Sequence, residues 1–162
     1  MRPAALLLAA ALAASCSPAK SAADRAREIG YQFVGAGAAF VHAFDHECTR
    51  TAEDVAGIDH ETGKIVDPKK FHDHVDEAIA LADRCADAAE KAKRALEAGE
   101  AALKTWSAAS AGQLGCAAGE FIGTAGAMTK VARDAGFSVP EVDAATEFAR
   151  RLVETFGGAC AR

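Results

Sequence analysis

The residues best suited to chemistry in this chain are histidines. His42 and His46 stand one helical turn apart, Asp45 and Glu47 sit beside them, and His72 and His74 follow in the next segment. Two imidazoles at i and i+4 share a helix face, the spacing from which a zinc, copper or nickel site is built. The set is incomplete as a metal centre. The chain contains no His-Glu-x-x-His, and no Glu-x-x-His pair of the kind that holds two irons in a bundle core. On a helical wheel His42 and His46 fall nearly opposite Phe33, Phe40 and Phe44, so they point away from any core those rings form. They read as solvated surface histidines, and no metal or other cofactor is expected. Met128 is the candidate for haem ligation from inside a bundle, but a flexible thioether on an apolar stripe is more simply a core filler.

Acyl transfer and phosphoryl chemistry find no support either. There is no Gly-x-Ser-x-Gly elbow and no glycine-rich phosphate loop. The acidic groups Glu53/Asp54 and Asp73/Asp76/Glu77 fall on polar helix faces, where negative charge is ordinary. A non-catalytic protein is expected.

The cysteines carry more information. There are five, Cys16, Cys48, Cys85, Cys116 and Cys160, without a Cys-x-x-Cys among them, so neither a zinc ribbon, a thioredoxin-type site nor covalent haem attachment is indicated. Cys16 ends a leader: Arg2 is followed by the apolar run Ala4 to Ala14, roughly 11 residues against the roughly 20 that a membrane-crossing helix needs. This is the layout of an export signal over residues 1–15. Its end, Leu12-Ala13-Ala14-Ser15-Cys16, resembles the lipobox of bacterial lipoproteins, with Leu12 one step further from the cysteine than usual. The resemblance implies cleavage before Cys16 and attachment of a diacylglycerol to its sulfur. Ser17, rather than Asp, after the cysteine would favour outer-membrane sorting in a Gram-negative cell. Cleavage after Ala11-Leu12-Ala13 by an ordinary signal peptidase is the alternative. Setting Cys16 aside leaves an even set of four, which in an oxidising compartment implies two disulfides.

Without residues 1–15 the chain has 162 − 15 = 147 residues, enough for one core. Its bases fall from 18 to 17 against 23 acids, a net of −6, and no basic run is present, so nucleic acid is not an expected partner. Residues 16–24 would form the lipidated cysteine and tether, and residues 25–162 a single domain.

What must position these groups is a set of alanine-rich helices. Ile29, Phe33, Phe40, Val41, Phe44, Cys48, Ala52 and Val55 recur at steps of three, four or seven and predict a first helix over about 22–56, stopped by Gly57. Residues 57–67 form a loop in which Ile58 to Val66 makes a tight turn between extended arms. Asp67 as N-cap and Pro68 at the first helical position open a second helix, with a seam of Phe71, Val75, Ala78, Ala82, Cys85, Ala89, Ala92, Leu96, Gly99, Leu103 and Trp106. Opposite charges at Asp87/Lys91, Glu90/Arg94 and Glu100/Lys104 support its outer face. Ser110 with Gln113, and Ser138 with Glu141, have the spacing of capping boxes for a third and a fourth helix. The third carries Leu114, Ala118, Phe121, Ala125, Met128 and Ala132 to Gly136, and the fourth Val142, Ala145, Ala149, Leu152 and Phe156 to Gly157. Short links favour an all-α, antiparallel four-helix bundle stabilised by disulfides.

Helical spacing then pairs the cysteines. A reversal near Phe137 brings Cys116 and Cys160 to one level, and Cys48 is left for Cys85, which requires helix one to end early or the two helices to stagger by roughly 12 Å. The third helix also carries a row of small residues, Gly115, Gly119 and Gly123, opposite its apolar stripe, a face for close helix packing or self-association. The sequence thus points to an exported protein, anchored by lipid to the cell membrane or outer membrane, that works as an interaction or structural module with a protein partner or a second copy. The alternative is a carrier of a small ligand or metal through His42, His46, His72 and His74.

Overall fold

In the computed structural model, residues 21–157 and Cys160 are described; the leader and Cys16 lie outside them. Among the described residues four helices, α1 (Ala22–Ala56), α2 (Pro68–Lys104), α3 (Ala108–Ala135) and α4 (Glu141–Phe156), make up nearly all of the fold, with a short hairpin of β1 (Ile58–Asp59) and β2 (Lys64–Ile65) between the first two. β1 and β2 pair antiparallel, Ile58 opposite Ile65. Each helix packs on its neighbours in sequence and α4 closes the ring onto α1, as in an up-down-up-down bundle.

The ends of the helices follow from local chemistry. The Ser21 hydroxyl accepts the Asp24 N–H at 3.0 Å while the Asp24 carboxylate accepts the Ser21 N–H at 3.2 Å, a reciprocal cap. Asp67 accepts from the Lys70 N–H at 2.9 Å ahead of Pro68, as its sequence position implies. Gly57 and Gly136 end α1 and α3 at φ of 67° and 85°, in the left-handed region that suits glycine.

Two expected caps differ. The N-cap of α3 lies three residues before Ser110: Ser107 holds that place and Ser110 serves as the third helical residue, accepting the Ser107 N–H at 2.6 Å. Ser-x-x-Ser closes the same reciprocal pair as Ser-x-x-Glu when the second serine is buried, and Ser110 is. Ser138 does not cap α4; the helix starts at Glu141 behind Pro140, with no side-chain cap bond, because Ser138 to Pro140 form the turn itself.

The core is aromatic in α1 and α3 and small-residue in α2. Phe33 and Phe40 each meet Phe121 edge to face, at ring centroid distances of 5.3 and 6.2 Å. Along α2 the inward position beside Cys85 is Leu81 rather than Ala82, which is exposed. Steps of three then four from Ala78 fit the seam as well as four then three, and the larger side chain gains more by burial. Both cysteine pairs are bonded, Cys48 to Cys85 and Cys116 to Cys160, with Cα separations of 6.2 and 4.9 Å. α1 keeps its full length to Ala56, so the stagger falls on α2, whose first turns contain no buried residue before Ala78.

That stagger makes a projecting arm. The end of α1 after Cys48, the hairpin and the first turns of α2 bury Ala52, Ala56, Gly57, Ala78 and Leu81, a seam of mostly small residues that continues the main core. Ile65, Val66 and Ile79 stand exposed on it.

Candidate functional site

The four candidate histidines lie on the surfaces of α1 and α2, and none joins a cluster of three metal-binding groups among the described residues. His42 borders a shallow groove between α1 and α2 floored by Val34, Val41 and Leu96, where Lys93 bridges to Asp45 at 2.9 Å. His46 Nδ1 is 3.5 Å from Glu47 on its own helix, and on α2 His72 lies 3.5 Å from Asp73 and His74 3.3 Å from Glu77. All four side chains are exposed. Among the described residues, three metal-binding groups converge at a single place, Cys116, Glu120 and Cys160, whose ligand atoms lie within 4.8 Å of one another. Its two sulfurs are joined in the disulfide, and no histidine belongs to it. Met128 is fully buried in the core beneath Phe121 and Ala125 on the same helix stripe, where it fills space.

The glycine row of α3 divides into two environments. A Cβ on Gly115 would run into the carbonyl oxygen of Gly157 and come within 3.0 Å of Phe156 Cβ, so this glycine seats the end of α4. Gly119 is half-buried, and Gly123 faces solvent with no atom within 4 Å of where its Cβ would be. Close approach elsewhere uses glycines outside that row. Gly30 and Gly37 of α1 make room for the Leu103 and Leu96 side chains of α2, and a Cβ on Gly99 would come within 3.1 Å of the Phe33 ring. Of these only Gly99 stands on a predicted seam, and the role of all three as recesses depends on what the opposing helix presents.

Electrostatics adds little that is functional. The Thr62 hydroxyl and N–H both donate to Asp59, at 2.6 and 2.8 Å, and hold its carboxyl below the usual range in the tip of the β hairpin. Glu100 raises Lys104 through their 2.8 Å contact. Both are surface arrangements.

Two further concave features border the second disulfide and the α3–α4 turn. A groove of about 740 Å³ runs past the second disulfide, lined by Ala101, Gly112, Gln113, Glu120 and Phe156, with Glu120 Oε1 3.4 Å from the Cys160 sulfur. A more enclosed cavity of about 290 Å³ lies where α3 turns into α4: Phe40 and Phe44 form its floor, Phe137, Val139 and Val142 its walls, and Arg133 its rim. The cavity is not legible in the sequence, because it is formed by the α3–α4 link, two helix ends and the side of α1, which meet only in the fold.

No helix among the described residues is long and apolar enough to cross a membrane. No protein-family model, curated protein or solved structure matches the chain.

Proposed function

We propose that this protein is a lipid-anchored component of a bacterial cell envelope, acting through contact with another macromolecule and not through catalysis. The observation that carries the reading is the cysteine arrangement. Cys48, Cys85, Cys116 and Cys160 are consumed in two disulfides, which belong to an oxidising, extracytoplasmic compartment, and the fifth cysteine stands at the end of an export-type leader where a lipobox places the modified residue. The interaction reading draws support from the surface: the groups able to do chemistry are scattered along helix faces, while the arm exposes Ile65, Val66 and Ile79.

The test is intact mass, denaturing and then native, on the full-length protein taken from the membrane fraction of its own host. A chain beginning at Cys16 with acyl additions and two disulfides is expected, and a Cys16→Ser variant should lose the acyl mass and leave the membrane fraction. An unacylated chain beginning elsewhere would overturn the anchor. A metal adduct that survives native conditions and disappears with His42→Ala plus His46→Ala would replace the interaction reading by that of a carrier.

A further inference from the structure

We propose that the cavity at the junction of α3 and α4 binds a small apolar carboxylate, such as an aryl-substituted acetic acid. The tail would lie among the phenylalanines and the carboxylate on Arg133. The site is separate from every histidine and from both disulfides, and it goes beyond the envelope role proposed above.

Three features of the cavity argue for this ligand. Its size, about 290 Å³, sits at the lower edge of the range of roughly 300–1,000 Å³ common to small-molecule pockets, so the occupant is small. Its walls are apolar and largely aromatic: Phe44 lies between Phe40 and Phe137, with ring centroids 6.4 and 5.9 Å away and both pairs tilted, and Val139 and Val142 complete the enclosure. A flat ring or short branched chain meets such walls better than a sugar or a nucleotide, whose hydroxyls would find few partners.

The third feature is charge. Arg133 is the one ionisable group among the described residues that line the cavity. Its guanidinium makes no hydrogen bond or ion pair among the described residues, whereas Arg50, Arg94, Arg150 and Arg151 each reach a glutamate. Ser138, at the same rim, likewise offers a hydroxyl without a partner among the described residues. A guanidinium and one hydroxyl beside an apolar chamber match a monoanion whose charge sits at one end. A carboxylate fits the planar guanidinium fork, while a phosphate dianion would leave half its charge uncompensated, and an amine would be repelled. Arg133 also lies in the last turn of α3, where a cation favours the helix end, but that role needs no apolar chamber beside it.

The experiment is a 19F NMR titration of the full-chain protein with 4-fluorophenylacetate, alongside 4-fluorobenzyl alcohol and 4-fluorophenethylamine as neutral and cationic probes of similar size. Saturable binding of the acid, several-fold tighter than that of the alcohol, with the amine weakest, is expected. Arg133→Gln should weaken the acid by about fivefold, the scale of one solvent-accessible ion pair, and leave the alcohol unchanged. Val142→Phe should fill the chamber and abolish binding of both, with thermal unfolding of each variant recorded to show that the fold persists. Absence of saturable binding, equal affinity for acid and amine, or full affinity in Arg133→Gln would overturn the proposal. If Val142→Phe fails to fold, nuclear Overhauser contacts between the bound ring and Phe137 in the parent protein decide the location: their presence is expected, and saturable binding without them would overturn the proposal.

Discussion

At the scale of single residues, the glycines of α3 make opposite predictions although they occupy one row. Replacing Gly123 by Ala adds a methyl in open space and removes backbone freedom from the unfolded chain. It should stabilise the fold by about 0.5–1 kcal/mol, measured by chemical denaturation. Gly115→Ala pushes against the Gly157 carbonyl, which is backbone and cannot swing aside as a leucine tip can. It should destabilise by about 1–3 kcal/mol and loosen the end of α4. A stabilised Gly123→Ala variant that dissociates in sedimentation would show that the open half of the row is an association face. A second residue-scale prediction concerns Asp59. Its carboxyl is held low chiefly by the Thr62 hydroxyl, so Thr62→Ala should move its NMR titration midpoint up toward the ordinary value of 3.8. Because the folded value is depressed, the stabilisation from this contact is present above that ordinary value and is lost as pH falls through the folded one. The parent and Thr62→Ala proteins should therefore differ in stability at neutral pH and converge in acid.

At the scale of elements, the arm formed by α1 and α2 beyond the four-helix body depends on its disulfide more than the body does. Its own seam is alanine, glycine and one leucine. A bond closing a loop of sequence separation 37 restricts the unfolded chain by about 4 kcal/mol in the chain-entropy account. Cys48→Ala plus Cys85→Ala should leave the protein folded, but with amides of residues 49–56 and 68–84 exchanging much faster while those around Phe33, Phe121 and Met128 stay protected. Uniform acceleration throughout would mean that the arm is not a separate unit. The same stretch shows what was legible in the sequence. The four helices, Asp67 with Pro68, and the glycine stops at Gly57 and Gly136 are local signals, and they carried the boundaries. The pairing of Cys116 with Cys160 followed from helical rise alone. The choice of Leu81 over Ala82, the recesses at Gly30, Gly37 and Gly99, and the chamber beside Arg133 were not legible, since each is set by what an opposing helix presents. The cap at Ser107 was readable in principle, but Ser110 with Gln113 offered a competing match that propensity could not separate.

For the whole molecule, the long axis has a direction. α1 begins at Ala22, a few residues after Cys16, and its 35 residues carry the chain about 52 Å to the hairpin. α2 returns antiparallel, and the contact of Gly30 with Leu103 puts Trp106 at the same end as the start of α1. If Cys16 bears the lipid, Trp106 lies near the bilayer and Ile65 and Val66 face away from it, so the exposed apolar residues of the arm are offered to something across the periplasm or outside the cell, not to the anchoring membrane. Trp106 is the chain's only tryptophan, which makes this measurable. In vesicles carrying a nitroxide on the lipid headgroup, the lipidated protein should show strong quenching of Trp106 fluorescence. A Trp106→Phe variant with tryptophan introduced by Thr62→Trp at the hairpin should show almost none. Equal quenching at both positions would mean that the bundle lies flat on the membrane, and the exposed residues of the arm would then have the bilayer itself as their partner.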